Sequence, residues 1–560
     1  MTALSWNDAP APALRRRFNG WSVATAVLAL LIVLPLATVM GFAAAPQTEI
    51  WGHLASTVLG RYVLNSLGLM VGVGLGTLVV GTGTAWLVTM CRFPGRRVLE
   101  WALLLPLAMP AYVVAYTYAG VLDYAGPVQG AIRALFGFTS ARDYWFPHFR
   151  SLGGAVAVLT AVLYPYVYLL ARTAFLGQCA CVLEASRTLG QSPWQGFSRV
   201  ALPLARPALA VGVALALMEV LGDFGAVQHL AVDTFTTGLT RVWLGMGDAP
   251  AAAQLAVALL GFIGLLVALE RLSRRRQRFH HATNRYRTLS GYRLSPLRGL
   301  LAMLACALPV LLGFVLPAGI LGAWAVETAP QMVDGRFWLA AGNSLAVAGI
   351  AAAAATLVAV ILAYGLRLRP NRMVRATVRL AGIGYAVPGP VIALGVMLAF
   401  TAIDGWVDGA MTAAFGISTG LLLSGTAFAV IFAYVVRFLA LSLGTVESGL
   451  IRVKPHMDDA ARSLGHGPGS MLRRVHAPII KGSVLTAALL VFVDVMKELP
   501  ATLMLRPFGF DTLAVRAYQL ASDERLRDCA PAALAIVLVG LVPVLVLSAG
   551  IARARPGQGR

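Results

Sequence analysis

Leu183-Glu184-Ala185-Ser186-Arg187-Thr188-Leu189-Gly190 and Asp458-Asp459-Ala460-Ala461-Arg462-Ser463-Leu464-Gly465 are two versions of one octapeptide. A single offset of 275 positions aligns Glu184 with Asp459, Gly190 with Gly465 and Pro203 with Pro478. Each copy is polar and lies between long apolar stretches, so the chain reads as two repeats built around two equivalent loops. Locally the pattern predicts helix, turn, helix. Glu184 to Leu189 are helix formers, and Gly190 stands where a C′ glycine ends the first helix. Ser192-Pro193-Trp194-Gln195 then supplies an N-cap serine, a proline at N1 and a glutamine at N3, a capping-box pattern. The second copy has Gly467-Pro468 at that point, a weaker helix start.

Composition sets the solvent. The 560 residues are 58% hydrophobic and only 12% charged, with a mean hydropathy of +0.76. A soluble domain carries about 25% charged residues. The chain is therefore an all-α polytopic membrane protein. Its formal net charge of +21 does not point to nucleic acid. The arginines cluster at the ends of apolar stretches, as the positive-inside rule requires, and no aromatic-and-basic RNA motif accompanies them. Five scattered cysteines (Cys91, Cys179, Cys181, Cys306 and Cys529) give no disulfide framework, and Cys179-x-Cys181 lacks further metal ligands nearby.

Taken in order, Arg15-Arg16-Arg17 precedes a first apolar run over 21–45. That run ends in Ala43-Ala44-Ala45 like a signal peptide but is too long for one, so it reads as an uncleaved span. Further spans are expected over 62–90, 99–122, 151–175, 204–222 and 251–269. Gly68, Gly72 and Gly76 place small residues on one face of the second span, allowing close helix packing. Pro106 and Pro110 should bend the third. The stretch 123–150, with Tyr144 and Trp145, reads as an external loop with interfacial aromatics. Residues 271–298 are arginine-rich without apolar periodicity and read as a basic cytoplasmic linker. An orientation signal is the favoured reading of that charge over a lipid-headgroup site. Asn65-Ser66-Leu67 and Asn343-Ser344-Leu345 then open equivalent spans at an offset of 278, which Pro110 and Pro388 share. Spans seven to twelve are expected over 299–324, 341–366, 377–401, 416–443, 482–505 and 530–552.

The domain reading is a first repeat at 1–270 with its loop at 184–203, the linker at 271–298, and a second repeat at 299–560 with its loop at 459–478. Six spans per repeat, an even number, make two parallel six-helix repeats of about twelve transmembrane helices. Both termini are then cytoplasmic.

Five charged residues interrupt the apolar spans: Glu219 and Asp223 in the fifth, and Asp494, Lys497 and Glu498 in the eleventh. The 275 offset pairs Glu219 with Asp494 and Asp223 with Glu498. A charge at the bilayer centre costs about 2.5–3.5 kcal/mol on insertion scales. Such residues either line a polar translocation pathway or pair structurally near the interface, and the sequence favours neither.

The twin loops resemble the EAA motif of ABC importer permeases, in which the loop forms a coupling helix that docks on a separate ATPase. On that resemblance the ATPase-coupling positions are Glu184, Ala185, Gly190 and Pro203 in the first loop, and Asp459, Ala460, Ala461, Gly465 and Pro478 in the second. Ser186 departs from the motif's second alanine, and Asp459 is shorter than its glutamate. The whole chain is similar to fused two-domain permeases of binding-protein-dependent importers, most of all the ferric-iron branch. The stretches Gly222-Asp223-Phe224-Gly225, Val232 to Gly238, Met496 to Thr502, Arg506-Pro507-Phe508, Asp511 to Ala514 and Ala521 to Glu524 carry that likeness. Thiamine, phosphonate, sulfate and polyamine importers share the architecture.

The resemblance implies a homodimeric cytoplasmic ATPase, a periplasmic substrate-binding protein and residence in a bacterial inner membrane. It implies no enzyme activity, catalytic residue, metal site or cofactor in this chain, with ATP and magnesium held by the ATPase. Consistent with this, Lys454, Lys481 and Lys497 are the only lysines, and none sits in a phosphate-binding Gly-x-x-x-x-Gly-Lys loop. A proton-coupled secondary transporter would also suit twelve spans and buried acids, but it has no use for twin acidic-Ala-x-Arg-x-Leu-Gly loops.

Overall fold

The computed structural model describes residues 20–46, 49–178, 186, 188–275, 292–368 and 372–553. Among them, ten helices are long and apolar enough to cross a membrane. A pair bent by 90°, Arg96–Ala108 followed by Ala111–Phe136, has the length and composition of one broken span or of a re-entrant loop, and stands where the third span is expected. A shorter apolar helix, Ala530–Leu545, occupies the place of the twelfth. The spans are numbered here in chain order: 1 (Gly20–Ala43), 2 (Leu59–Met90), 3 (the bent pair), 4 (Leu152–Gly177), 5 (Gly196–Gly222), 6 (Ala249–Arg275), 7 (Pro296–Met332), 8 (Gly335–Leu368), 9 (Gly389–Phe415), 10 (Ala427–Ile451), 11 (Pro468–Met496) and 12 (Ala530–Arg553).

Proline decides several boundaries. Pro110 and Pro388 both sit in extended backbone, just after a short 3-10 turn and just before a long helix. A proline supplies no amide hydrogen, so it starts a helix more readily than it continues one. Span 9 therefore begins at Gly389 rather than 377, and the preceding Arg372–Ala381 is a separate basic amphipathic helix. Spans 10 and 11 are likewise displaced from their expected limits. Span 11 ends at Met496, and Pro500–Leu505 forms its own short helix. The stretch expected to be a loop at 123–150 contains the helix Pro127–Phe136.

The glycine seam behaves as its spacing predicts. A Cβ at Gly68, Gly72 or Gly76 would stand only 3.0, 2.7 or 2.6 Å from Leu152, Val156 or Thr160 of span 4. Successive turns of the two helices meet in the same order, so spans 2 and 4 run in the same direction. Among the described residues, Cys91, Cys306 and Cys529 are free and buried.

Two compact units emerge, and they do not coincide with the sequence halves. One comprises residues 1–41 and 343–510, the other 42–342 and 511–560. In the first unit, Trp21 at the start of span 1 packs edge-on against Tyr364 of span 8, ring centroids 5.1 Å apart. In the second, Tyr292 just before span 7 lies 6.4 Å from Trp86 of span 2. Cys91 and Arg92 also pair in parallel with Tyr292 and Arg293 there. Trp86 and Tyr364 share the 278 offset, so the segment leading into each half packs on the second span of the other half. Span 12 joins the second unit, against span 7 and the break in span 3.

Candidate functional site

The twin loops fold alike. Gly190 and Gly465 have φ of +76° and +79°, the left-handed conformation that ends a helix. Each is followed by the same long turn bond: Gln191 N–H donates to Ser186 C=O at 3.1 Å, and His466 N–H to Ala461 C=O at 3.0 Å. These are the six-residue bonds of a Schellman turn, and the 275 offset relates them. Ser192 and Gln195 cap the next helix reciprocally: the Ser192 N–H donates to Gln195 Oε1 at 2.9 Å, and the Gln195 N–H to Ser192 Oγ at 3.3 Å. A leucine sits at each turn, Leu189 at 79% exposure and Leu464 at 77%. Two exposed leucines at equivalent points of a membrane protein's polar loops are what a partner's apolar pocket would receive. Glu184 and Ala185 lie outside the described residues, as do Cys179 and Cys181.

The helix Pro455–Ser463 carries two adjacent aspartates with opposite fates. Asp459, Ala460, Gly465 and Pro478 are exposed, whereas Ala461 packs with Tyr364 and Met471. The Asp459 side chain is 67% exposed and pairs with Arg462, 3.2 Å away. Asp458, which the motif does not single out, is buried. Arg367 at the end of span 8 donates from Nε to Asp458 Oδ2 at 2.9 Å and from Nη2 to Oδ1 at 3.1 Å. The same guanidinium holds the Leu450 and Val453 carbonyls at 2.7 and 2.9 Å. His476, 0% exposed, meets Asp458 Oδ1 through Nε2 at 2.8 Å. Tyr364 packs its ring on His476 and donates to the Pro468 carbonyl at 2.7 Å. Burial alone would raise the Asp458 carboxyl, but the bonds from Arg367 and His476 outweigh it and hold the group below the ordinary aspartate range. Sequence reasoning missed this lock because its three members are 18 to 109 positions apart. The available signal was a doublet, Asp458-Asp459, where one acid sufficed.

The first loop is built without the lock. The 275 offset places Leu183 at the position of Asp458 and Ala201 at that of His476. Gln178 instead donates to the Ala201 carbonyl at 2.8 Å. Trp86, Phe175 and Phe197 pack around the base, with Trp86 5.5 and 4.9 Å from the other two rings. Pro203 stands in the first turn of the helix Leu202–Gly222, the main part of span 5.

The charged residues of spans 5 and 11 also repeat a geometry. Asp223 Oδ1 accepts from the Ala226 and Val227 amides at 3.1 and 3.0 Å, capping the short helix Gly225–His229. Glu498 accepts from the Ala501 and Thr502 amides at 3.1 and 3.2 Å, capping Pro500–Leu505. Each fifth span of a repeat is thus broken at an acid that starts a second helix, where the amide dipoles favour negative charge. Glu498 is buried and also faces Arg437 at 3.4 Å. Asp494 and Lys497 form an i, i+3 pair at 2.9 Å with side chains 23% and 26% exposed. Glu219 is half-buried one turn before Asp223. Among the described residues no three His, Cys, Asp or Glu side chains converge as a metal site.

A family model described as "Binding-protein-dependent transport system inner membrane component" matches residues 68–278. The Fe(3+)-transport system permease protein FbpB 2 of Haemophilus influenzae is 27% identical over 535 residues, 93% of this chain and 97% of that protein. The molybdenum transport system permease protein ModB of Escherichia coli is 32% identical over 36% of this chain and 89% of its own length. The sulfate transport system permease protein CysT of the same organism is 32% identical over 42% of this chain and 85% of its own length.

Proposed function

This chain belongs to the permeases of binding-protein-dependent ABC importers, and from that premise we propose that it forms both halves of a ferric-iron channel worked by two coupling loops. It is a transport permease rather than an enzyme, a multi-span protein of an inner membrane, and its family works with an ATPase and a substrate-binding protein. ModB and CysT each align with less than half of it, as expected of permeases built from one repeat, whereas FbpB 2 aligns with nearly all of it.

The observation that carries the mechanism is the pair of exposed leucine-glycine turns related by one sequence offset. One chain with two equivalent docking elements suits a homodimeric ATPase, each of whose subunits presents the same cleft. Glu184 and Asp459 are the acids facing that partner, Leu189 and Leu464 its apolar knobs, and Gly190 and Gly465 the turns that let the knobs protrude. ATP and magnesium stay with the ATPase, and both termini of this chain lie on the ATPase's side. Reporter fusions after Arg97 and Arg473 should then read cytoplasmic, and one near Arg142 external.

The ferric reading rests on FbpB 2. Molybdate and sulfate form the second reading, favoured by the higher local identity of ModB and CysT. Uptake of ferric iron, molybdate and sulfate by a deletion strain, with and without this chain, decides between them. In the same cells, Leu189→Asp with Leu464→Asp should abolish uptake and copurification of the ATPase. Full copurification with that double variant would remove the coupling role.

A further inference from the structure

The helix Arg372–Ala381, within the unit formed by residues 1–41 and 343–510, carries a surface that has no part in the coupling loops. At about 100° per residue its positions divide into three sides. Val374, Val378 and Ala381 form the first and are buried. Arg372 and Arg379 are exposed on the second, with Arg375 half-buried between them. Met373 and Leu380 form the third with Ala376, and the two larger side chains are 67% and 50% exposed. A cationic stripe beside an open apolar stripe is the pattern of a helix that lies at a bilayer surface. No aspartate or glutamate occurs in the sequence between Asp334 and Asp404, so no acid nearby along the chain offsets these charges.

The packing of the helix sets its depth. Span 8 ends at Leu368, so Arg372 starts the helix within about 14 Å of that end. Arg367 beside Leu368 holds Asp458 of the second loop, which puts the helix on the loop's side of the membrane. After the helix the chain runs inward along span 10. A Cβ at Gly382 would stand 3.9 Å from Leu443, and one at Gly384 would overlap the Val436 carbonyl. Leu443 and Val436 lie about 12 and 22 Å along span 10 from its end at Ile451. The helix thus bridges the loop-side face and the apolar layer, at the level of the lipid headgroups.

The other half treats the equivalent helix, Arg96–Ala102, differently. The 278 offset matches Arg97 with Arg375, Glu100 with Val378 and Trp101 with Arg379. There Glu100 pairs with Arg172, and Arg96 Nε donates to the Val88 carbonyl at 2.6 Å, so charge is spent inside the protein. Trp101 is 38% exposed, and tryptophan is the residue of the membrane–water interface. Where the first half shows an indole at that level, the second shows a guanidinium.

We propose that the helix Arg372–Ala381 is a binding site for anionic phospholipid. Arg372 and Arg379 hold headgroup phosphates, which a guanidinium meets with two parallel N–H bonds, and Met373 and Leu380 rest among the upper acyl carbons. The coupling reading above enters only in assigning the leaflet, the one that faces the ATPase. The site itself is tested by lipid binding, whatever the substrate and whatever the loops do.

The test measures binding of fluorescent phosphatidylglycerol and phosphatidylcholine to the full chain with its ATPase in neutral detergent. Each arginine near an anionic surface contributes about fivefold, so the parent should prefer phosphatidylglycerol about thirtyfold. Arg372→Gln with Arg379→Gln should abolish that preference and leave phosphatidylcholine binding as in the parent. Arg92→Gln with Arg97→Gln removes two exposed arginines from the corresponding region of the other half, and should keep the preference within about twofold of the parent. Equal loss in both pairs would reduce the effect to total charge and overturn the site. A parental preference in Arg372→Gln with Arg379→Gln would overturn it too. So would displacement of phosphatidylglycerol by excess inorganic phosphate, which would make the ligand a free anion. Loss of the ATPase from that variant with lipid binding intact would make the helix a protein contact instead.

Discussion

The two loops reach the same outer geometry over different foundations. Both end in a left-handed glycine beside an exposed leucine, with the same turn bond behind it. Beneath the second, Arg367, Asp458 and His476 lock the helix Pro455–Ser463 to the end of span 8. Beneath the first, an amide, Gln178, and a set of aromatic rings occupy the corresponding space. What is common to the two is what a partner would touch, and what differs is buried. A symmetric partner constrains only the surface it meets, so the supporting residues of each repeat are free to diverge.

The largest expected effect comes from breaking what the loops share. A side chain in the left-handed region costs roughly 1–2 kcal/mol in backbone energy, and a β-branched one is worse placed still. Among the described residues nothing lies within 4 Å of a Cβ at either Gly190 or Gly465, so the penalty is conformational rather than a clash. Gly190→Val and Gly465→Val should each leave the chain in the membrane, weaken ATPase copurification and abolish uptake. Normal copurification and uptake in both would show that the turns are not coupling elements.

Next comes what they do not share. Removing one member of a buried ion pair costs about 3–5 kcal/mol, because the other charge is left without a partner. Asp458→Ala should therefore lower the abundance of the folded chain sharply. Asp459→Ala, at an exposed site, should change stability by no more than about 0.5 kcal/mol and act on ATPase coupling instead. Asp458→Leu with His476→Ala installs the first loop's residues at both positions but still strands Arg367. That double variant should recover little unless Arg367→Met is added. Equal thermal stability of Asp458→Ala and the parent would dissolve the contrast between the loops.

A smaller effect is expected in span 11. Asp494 and Lys497 are each about a quarter exposed, so screening limits what their pair is worth. Asp494→Asn should leave abundance nearly unchanged. A fall in uptake would then place this pair on the translocation pathway, and parental uptake would make it a surface pair only.

Acid should act least near neutrality and only on the second loop. The Asp458 carboxyl titrates lower in the native chain than when unfolded. Its contribution to stability is therefore fully present above the ordinary aspartate value of about 3.9, and is lost as pH falls through the lower native value. Melting of the solubilised chain should show a constant gap between parent and Asp458→Asn from pH 7 to about 5, closing under stronger acid. A gap that closes between pH 7 and 6 would show that the Asp458 carboxyl is not the group responsible.

By itself the sequence determined the solvent, the two repeats and the local turns. Each depends on residues close along the chain: apolar runs long enough to span, prolines that restart helices, glycines that take positive φ, and Ser192 with Gln195 as a cap. Gly68, Gly72 and Gly76 marked a packing face by their spacing alone, and span 4 fills it. Tertiary structure decided which of two adjacent aspartates is buried. Neighbours on a helix point about 100° apart, and the side that faces inward was set by Arg367, 91 positions earlier, and by His476. It also decided that span 1 packs with the second half, since Trp21 meets Tyr364 across 343 positions. Two like halves offer equivalent surfaces, and no local pattern records which of them a leading helix will choose.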